Sequence, residues 1–477
     1  MRIRSILPRP PLRIAPRALA HAVALAFGWV AASGAVAATG APPAGGIVVV
    51  QNCDDDGTGS LREAVRDLAV SGDTIDLRFL SCSTITLTSG AIATGLDDLD
   101  IVGPGSPLFA AYAQSAGRTL SISGGGAFPV FAHVGAGTLR LSGVGVTEGY
   151  KYSATDRAPG GCLYSQGSVV LERATVSDCT ARSAGSDAAE GGGLFVAGDL
   201  VLVDSVISGN TAIADQSVAF GGGASVGGAL RSKYSVFAGN EASGSDGGGR
   251  GSFGAAVVRG DAFVAGSGIV LNTADDVGGL ALLGSGATTP LVVRNTTIFL
   301  NQSGRLSATA GLLAGAELAL SNSTIAGNFL AVDPAPIPGA AAGLSLAGQA
   351  RIDSSIVSRN AVTPAAQAPV LSDLGGTQTT VVGSHNLIGT SSVPLPPDTL
   401  RGDPRLVPML SPVRTHHGLA FLLPFADADS PAIDAGANPF ALATDQRGAP
   451  YRRIEGAAPD IGAYEADPDR IFQDGFD

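Results

Sequence analysis

Two consecutive stretches, "GGGLFVAGDLVLVDSVISGN" (Gly191–Asn210) and "GGGASVGGALRSKYSVFAGN" (Gly221–Asn240), carry the same pattern thirty residues apart. Each opens on three glycines, runs through two short apolar stretches and closes on an asparagine. Aligned on that last residue, the series is Cys179 ("ATVSDC"), Asn210, Asn240, Asn272 ("GIVLN"), Asn301 ("TIFLN"), Asn328 ("TIAGN") and Asn360 ("SIVSRN"). The steps are 31, 30, 32, 29, 27 and 32 residues. A recurring period of this size is the mark of stacked structural units.

The register within a unit is tighter than the period. Three residues before each asparagine stands an apolar side chain: Ile207, Phe237, Ile269, Ile298, Ile325 and Val357, with Val176 before Cys179. Five and seven residues before that one lie further apolar positions in most copies, such as Leu202 and Leu200, and the spacing occurs earlier as Leu139, Leu141 and Val146. Alternation by two denotes a strand with one buried face, and the shift to the next apolar position denotes a turn. Glycines at 160–161, 191–193, 221–223 and 278–279, then Gly311 and Gly343, supply tight turns between units. The expectation is an all-β chain: a single right-handed parallel β-helix with about three strands in each coil.

At an inward turn the asparagines Asn210, Asn240, Asn272, Asn301, Asn328 and Asn360 are expected to form a structural ladder, each amide serving backbone that burial would leave unpaired. A solenoid also needs its ends covered. The stretch "GTGSLREAVRDLAVSGDTIDL" (Gly57–Leu77) supplies a cap: Ser60 and Glu63 form a capping box, and Leu61, Ala64, Val65 and Leu68 give one apolar stripe. A helix over 60–70 is predicted, with Arg62, Glu63, Arg66 and Asp67 facing water. "TIDL" and "TITLTSG" follow as the first coils.

These residues also carry a resemblance. "GSLREA", "GDTIDL", "STITLTSG" and "IVGPG" resemble the CSLREA-like segment that opens many secreted bacterial β-helix proteins. "GGCLY", "GGGLF", "SVISGNTA" and "FAGNEA" resemble the GGA and FxxN repeats of polymorphic outer-membrane proteins. "SPAIDAG", "TDQRGAPYR" and "DIGAYE" resemble a choice-of-anchor Q domain. The resemblance implies export and a solenoid, and no single activity. It divides the chain into a signal peptide (1–37), a cap with first coils (38–105), repeats (106–400), a choice-of-anchor Q-like segment (401–465) and a tail (466–477), which ends "DRIFQDGFD" without an LPXTG-like signal.

Composition agrees with export. Arg2, Arg4, Arg9, Arg13 and Arg17 precede an apolar run, Ala18 to Ala32, and the small-x-small site Ala35-Val36-Ala37, the three parts of a secretory signal. Its removal takes the formal charge from −12 to −17, which disfavours binding to nucleic acid or an anionic membrane surface. No later run is long and apolar enough to predict a transmembrane helix. Cys53, Cys82, Cys162 and Cys179 are expected to form two disulfides; of three connectivities the local one, Cys53 with Cys82 and Cys162 with Cys179, is preferred. Zinc is disfavoured, because no CxxC pair occurs.

The β-helix also hosts polysaccharide lyases and glycoside hydrolases, which need carboxylates gathered on one outward column. Outward positions of the middle strand read Val170 and Glu172, Val201 and Val203, Arg231 and Lys233, Phe263 and Ala265, Val292 and Arg294, Ala319 and Ser321, Arg351 and Asp353. Arg231 and Lys233 make a basic spot without an acidic pair, and Asp199, Asp261 and Glu317 recur only in alternate coils. Asp54, Asp55 and Asp56 read as a solvated turn, His416 and His417 as surface, and Asp434, Asp445, Arg447 and Asp460 as ties between turns. No catalytic, cofactor or metal site is assigned. Variable segments after each asparagine (Ala181–Glu190, Thr211–Phe220, Glu241–Arg250, Ala331–Ala341) are read as loops along one edge and as the best place for recognition, although poor in aromatics. The expectation is an exported, adhesin-like or surface-structural protein of a Gram-negative bacterium, with outer-membrane association admitted and a glycan or another cell as partner; the alternative is a pectate-lyase-like lyase or hydrolase.

Overall fold

The computed structural model describes residues 45–106, 118–245, 248–286, 289–304, 309–332, 339–364, 368–377, 379–407, 413–415, 418–425 and 428–466. The signal-peptide expectation, His416–His417 and tail residues 467–477 lie outside them. The chain winds as a parallel β-solenoid of about 10 coils with about 31 residues in each. Among the described residues three long parallel sheets wall the core. In chain order through one coil these are a 10-stranded first wall, a 12-stranded second wall and an 11-stranded third wall. Leu194–Val196, Leu200–Val203 and Val206–Ser208 are one coil's contributions.

Period-two alternation fixes which side chains enter. In the third wall Val146, Val176, Ile207, Phe237, Ile269, Ile298, Ile325, Val357 and Ile388 pair coil to coil in one inward column, all fully buried. Leu139, Val169, Leu200 and Leu230 make a matching column in the second wall. Identical registers place like side chains one strand spacing apart, so each column stacks as a continuous apolar row.

Between the walls the chain turns on single left-handed residues, such as Asp204 (φ 48) and Gly209 (φ 64). Two of the turns carry polar ladders. Asn210 donates its backbone N–H and its Nδ2 to Oδ1 of Asn240 (3.2 and 2.9 Å), and Nδ2 also to the carbonyl of Val176 (3.0 Å). The pattern repeats through Asn240, Asn272, Asn301 and Asn328, and Asn360 ends it on Oδ1 of Asp373. Asp373 is fully buried; burial raises its pKa against the hydrogen bonds from Asn360 and Thr390. A second ladder, absent from the sequence reading, runs through Ser205, Ser235, Ser267, Thr296, Ser323 and Ser355 to Asn386.

The expectations for the segments after the asparagines, the cap helix, Arg62 and Asp55 are corrected. The segments after Cys179, Asn210 and Asn240 each carry two strands rather than a loop, and residues 333–338 of the fourth segment, Ala331–Ala341, lie outside the described residues. Thr180–Ser183, Thr211–Ala214 and Glu241–Gly244 belong to a nine-stranded sheet, while Ala189–Glu190, Val218–Phe220 and Arg250–Phe253 belong to a four-stranded one. The two form a thin fin, with Ala189, Ala212, Ala214, Ala219, Ala242 and Ala274 buried together. Coils in this region therefore contribute five strands, and alanine, too small to mark a core in hydropathy, is what lets the two sheets pack so closely.

The cap helix is shorter and differently turned than predicted. Leu61–Glu63 is α-helical and Ala64–Leu68 a π turn, closed by the N–H of Ala69 on the carbonyl of Ala64. Ser60 accepts from the N–H of Glu63 (3.1 Å), and the Glu63 carboxylate accepts from Gly59 rather than from Ser60. Leu61, Ala64 and Val65 enter the core, but the wider turn rotates Leu68 out, to 54 % exposure. Arg62, expected in water, is buried: its guanidinium donates to Asp55 and to the carbonyls of Gly90 and Ala91. Asp55 is correspondingly not a solvated turn residue. Burial alone would raise its pKa, but hydrogen bonds from Arg62, Ser89 and Thr88 hold it well below the usual carboxylate range.

Both disulfides join the local pairs, Cys53–Cys82 and Cys162–Cys179. The first ties the irregular segment between Ile47–Val49 and the cap to the turn after Asp73–Asp76. At the other end Val393 and Leu395 close the core.

Candidate functional site

The described residues present three outward surfaces: the face of the second wall, the face of the third wall, and a concave one between fin and first wall. The outward face of the second wall stacks Arg140, Val170, Val201, Arg231, Phe263, Val292, Ala319 and Arg351. Arg231 lies 3.9 Å from Asp199 of the neighbouring coil, a half-exposed pair of small energetic value. Val201, Val203 and Phe263 are half-buried.

The outward face of the third wall is covered by the C-terminal segment. Val206, Val236, Val270, Phe299, Ala326, Ile356 and Leu387 form a second apolar cluster with Leu406, Phe421, Leu423, Phe425, Ala432 and Ile461. Hydrogen bonds fasten it: Asn322 Nδ2 to the carbonyl of Ala437 (2.8 Å), Gln446 Nε2 to that of Ser267 (2.9 Å), and the N–H of Ala463 to Thr324 Oγ1 (3.0 Å). Inside the segment Asp445, Arg447, Arg453, Asp460 and Glu465 are buried and mutually bonded. Arg453 pairs with Glu465 at 3.1 Å, and Arg447 donates to the carbonyl of Glu465. Asp460 accepts from the N–H groups of Asp434 and Ala466. Three carboxylates face two guanidiniums, and burial pushes Asp460 up to about 6 and Glu465 to about 7.

The concave surface lies where the fin meets the first wall. Gly191 turns the chain there with φ 66, and a Cβ at that position would meet the carbonyl oxygen of Leu194. The outward fin residues Pro159, Glu190, Phe220 and Phe253 stack coil on coil, facing the outward column Tyr164, Phe195, Ser225, Val257, Ala281 and Leu313 of the first wall. The trough runs along the solenoid axis; from the coil of Tyr164 to that of Val257 it spans about 14 Å, three steps of strand spacing. A pocket of about 590 Å³ opens there, lined by Arg157, Asp187, Ala188, Glu190, Phe195, Ala197, Gly227 and Arg259.

Its centre is an ordered ion triad. Glu190 Oε1 accepts from Arg157 Nε at 2.7 Å. Its Oε2 accepts from Ser225 Oγ at 3.1 Å and lies 3.6 Å from Arg259 Nη2. Arg259 Nη1 donates to Ser225 Oγ at 3.0 Å. Aromatic rings support both guanidiniums: Arg157 lies 4.4 Å above the Phe195 ring and Arg259 5.9 Å from that of Phe220. Tyr164 stacks on Phe195 and Phe220 on Phe253, with centroids 5.6 and 5.9 Å apart. Beyond the triad the trough turns apolar, through Phe253, Val257, Val277, Ala281 and Leu313.

None of these trough residues was singled out from the sequence, and the scarcity of aromatics in the supposed loops pointed away from them. The signal lay beside the glycines. Pro159, Glu190 and Phe220 each stand directly before a glycine pair, and Tyr164 and Phe195 each follow the first inward residue after it. Among the described residues no cluster of three or more His, Cys, Asp or Glu is arranged to hold a metal ion, and no helix is long and apolar enough to cross a membrane. Comparison with known proteins finds no family model that matches the chain and no curated protein with significant similarity to it.

Proposed function

We propose that this is an exported, adhesin-like surface protein whose solenoid displays the trough between fin and first wall as its ligand-contact site. Two disulfides in a β-solenoid fit an oxidising compartment, and the N-terminal Arg-rich and apolar run fits a secretory signal. In this reading residues 1–37 direct export from a Gram-negative cytoplasm, and residues 401–465 act as a choice-of-anchor Q-like closing segment at or beyond the outer membrane. The observation behind this reading is the trough, a concave surface with aromatic walls and two guanidiniums held in place. Glycosidase chemistry would need two carboxylates at liberty there; of the two that line the pocket, Glu190 has both oxygens engaged and only the rim residue Asp187 is exposed.

The test is binding of the mature protein, displayed at cell-surface density, to a panel of cells and glycans, beside an Ala197→Trp variant. Ala197 is an exposed lining residue outside the core, so the indole fills the pocket and leaves the coil intact. Binding that this variant loses supports the reading. Binding that it retains moves the contact site elsewhere, and absence of binding to every cell and glycan removes the adhesin role.

A further inference from the structure

Resting on that reading of the trough, we infer that its ligand is a carboxylate-bearing polysaccharide strand, with one ligand carboxylate in the fork of Arg157. The polar groups that the trough leaves unused belong to Arg157. Glu190 and Ser225 are buried and satisfied by Arg157, Arg259 and each other. Arg157 uses only Nε for Glu190, and its Nη1 and Nη2 have no protein partner among the described residues, while the side chain is 46 % exposed. Two parallel, co-planar N–H donors facing solvent match one carboxylate bidentately. The guanidinium is held by an ion pair on one side and by the Phe195 ring beneath it, so little entropy is lost when a ligand takes up the fork.

The shape selects a chain over a small molecule. Both walls are sheet faces whose columns continue past the triad to Phe253, Val257, Ala281 and Leu313, so the trough goes on along the axis. A peptide strand adds to a sheet by pairing with an open edge, but both walls offer faces, with their backbone groups paired coil to coil. A polysaccharide asks for what is present: apolar and aromatic patches for the faces of its rings, donors for its carboxylate, and the exposed Asp187 on the rim as an acceptor for hydroxyls. The bound carboxylate also offsets the charge of Arg157 without displacing Glu190, which stays as the group that positions both arginines.

Titration with tetragalacturonate, its carboxyl-reduced counterpart and monomeric galacturonate tests this, with wild type, Arg157→Lys and Ala197→Trp. The expected result is saturable binding of the acidic tetramer, weaker binding of the monomer, and a loss of about tenfold or more on carboxyl reduction or in Arg157→Lys, which keeps the charge and removes the fork. Equal affinity for the reduced tetramer, or an unaffected Arg157→Lys, overturns the carboxylate assignment. If the tetramer does not bind while wild type still binds cells or another glycan in a manner that Ala197→Trp abolishes, the ligand class is wrong and the trough stands as the contact site. If nothing binds at all, both are wrong.

Discussion

Gly193 and Asn210, 17 residues apart in the chain, are one contact in space: a Cβ on Gly193 would lie 2.9 Å from Cγ of Asn210. Gly223 meets Asn240 and Gly343 meets Asn360 in the same way. The two hallmarks of the repeat, its glycines and its asparagine, are thus halves of a single corner. The asparagine amide needs the room that the missing side chain leaves. In the preceding coil Cys162 and Cys179 hold the same two positions at the same separation of 17, and there a disulfide takes the place of the contact.

Exchanging one corner chemistry for the other therefore conserves the fold. The double variant Cys162→Gly, Cys179→Asn is expected to keep the coil and extend the ladder by one amide, unfolding within about 2 kcal/mol of wild type. Cys179→Asn alone, with the Cys162 side chain still in the corner, is expected to lose more than the double variant. Urea denaturation of the three proteins decides it; a single variant more stable than the double contradicts the equivalence.

Removing an amide from mid-ladder leaves several buried groups unpaired at once. In Asn272→Ala the N–H and Nδ2 of Asn240 lose their acceptor and the carbonyl of Phe237 loses a donor. A destabilisation of about 2–4 kcal/mol is expected, measured by equilibrium denaturation, against less than about 0.5 kcal/mol for a substitution at the exposed Ala197.

Arg62 joins the cap to the first coils through Asp55, Gly90 and Ala91. Arg62→Leu leaves Asp55 buried without its cation and is expected to cost about 3 kcal/mol locally. Faster amide exchange around residues 60–68 and 85–94, with the central coils unchanged, is the signature. Uniform acceleration along the chain would mean that the cap and solenoid unfold as one unit.

The C-terminal segment should undock more easily as pH rises. Glu465, raised to about 7, and Asp460, raised to about 6, hold protons more tightly in the folded state than in the unfolded one. Their stabilising contribution is complete below about pH 4 and is lost as pH climbs through 6 and 7. Glu465→Gln, whose single amide oxygen can serve only one of the N–H groups of Glu455 and Asp460, lowers stability at every pH but removes the titrating group, and is expected to flatten that dependence. Limited proteolysis of residues 428–466 between pH 4 and 8 reads it; wild type and variant with the same slope would contradict the assignment.

The solenoid was legible in the sequence because its core obeys one period. Ile207, Phe237 and Ile269 repeat in register, and nothing except a stacked coil buries all three against one another. The cap was legible from Ser60 and Glu63, but not its π turn, which moved Leu68 outward and left Arg62 to be anchored by carbonyls some thirty residues away. The fin was missed because its core is alanine and serine, whose pattern hydropathy does not register. With the fin went the trough: Arg157, Glu190, Phe195 and Arg259 are spread over more than 100 positions of the chain, and only the extra sheet brings them together. The C-terminal segment could be set apart by the resemblance of "SPAIDAG", "TDQRGAPYR" and "DIGAYE" to a choice-of-anchor Q domain, but its place on the outward third wall depends on contacts such as Asn322 with Ala437, more than 100 residues apart.

The most direct test of the central claim is amide exchange of the mature protein, free and saturated with whichever glycan binds it most tightly. Slowed exchange confined to residues 155–166, 185–198, 216–229 and 250–261 is predicted, the four passages of the chain along the trough. Protection that falls on the second wall, around Arg231 and Phe263, or on the C-terminal segment, with those four passages unchanged, would contradict it.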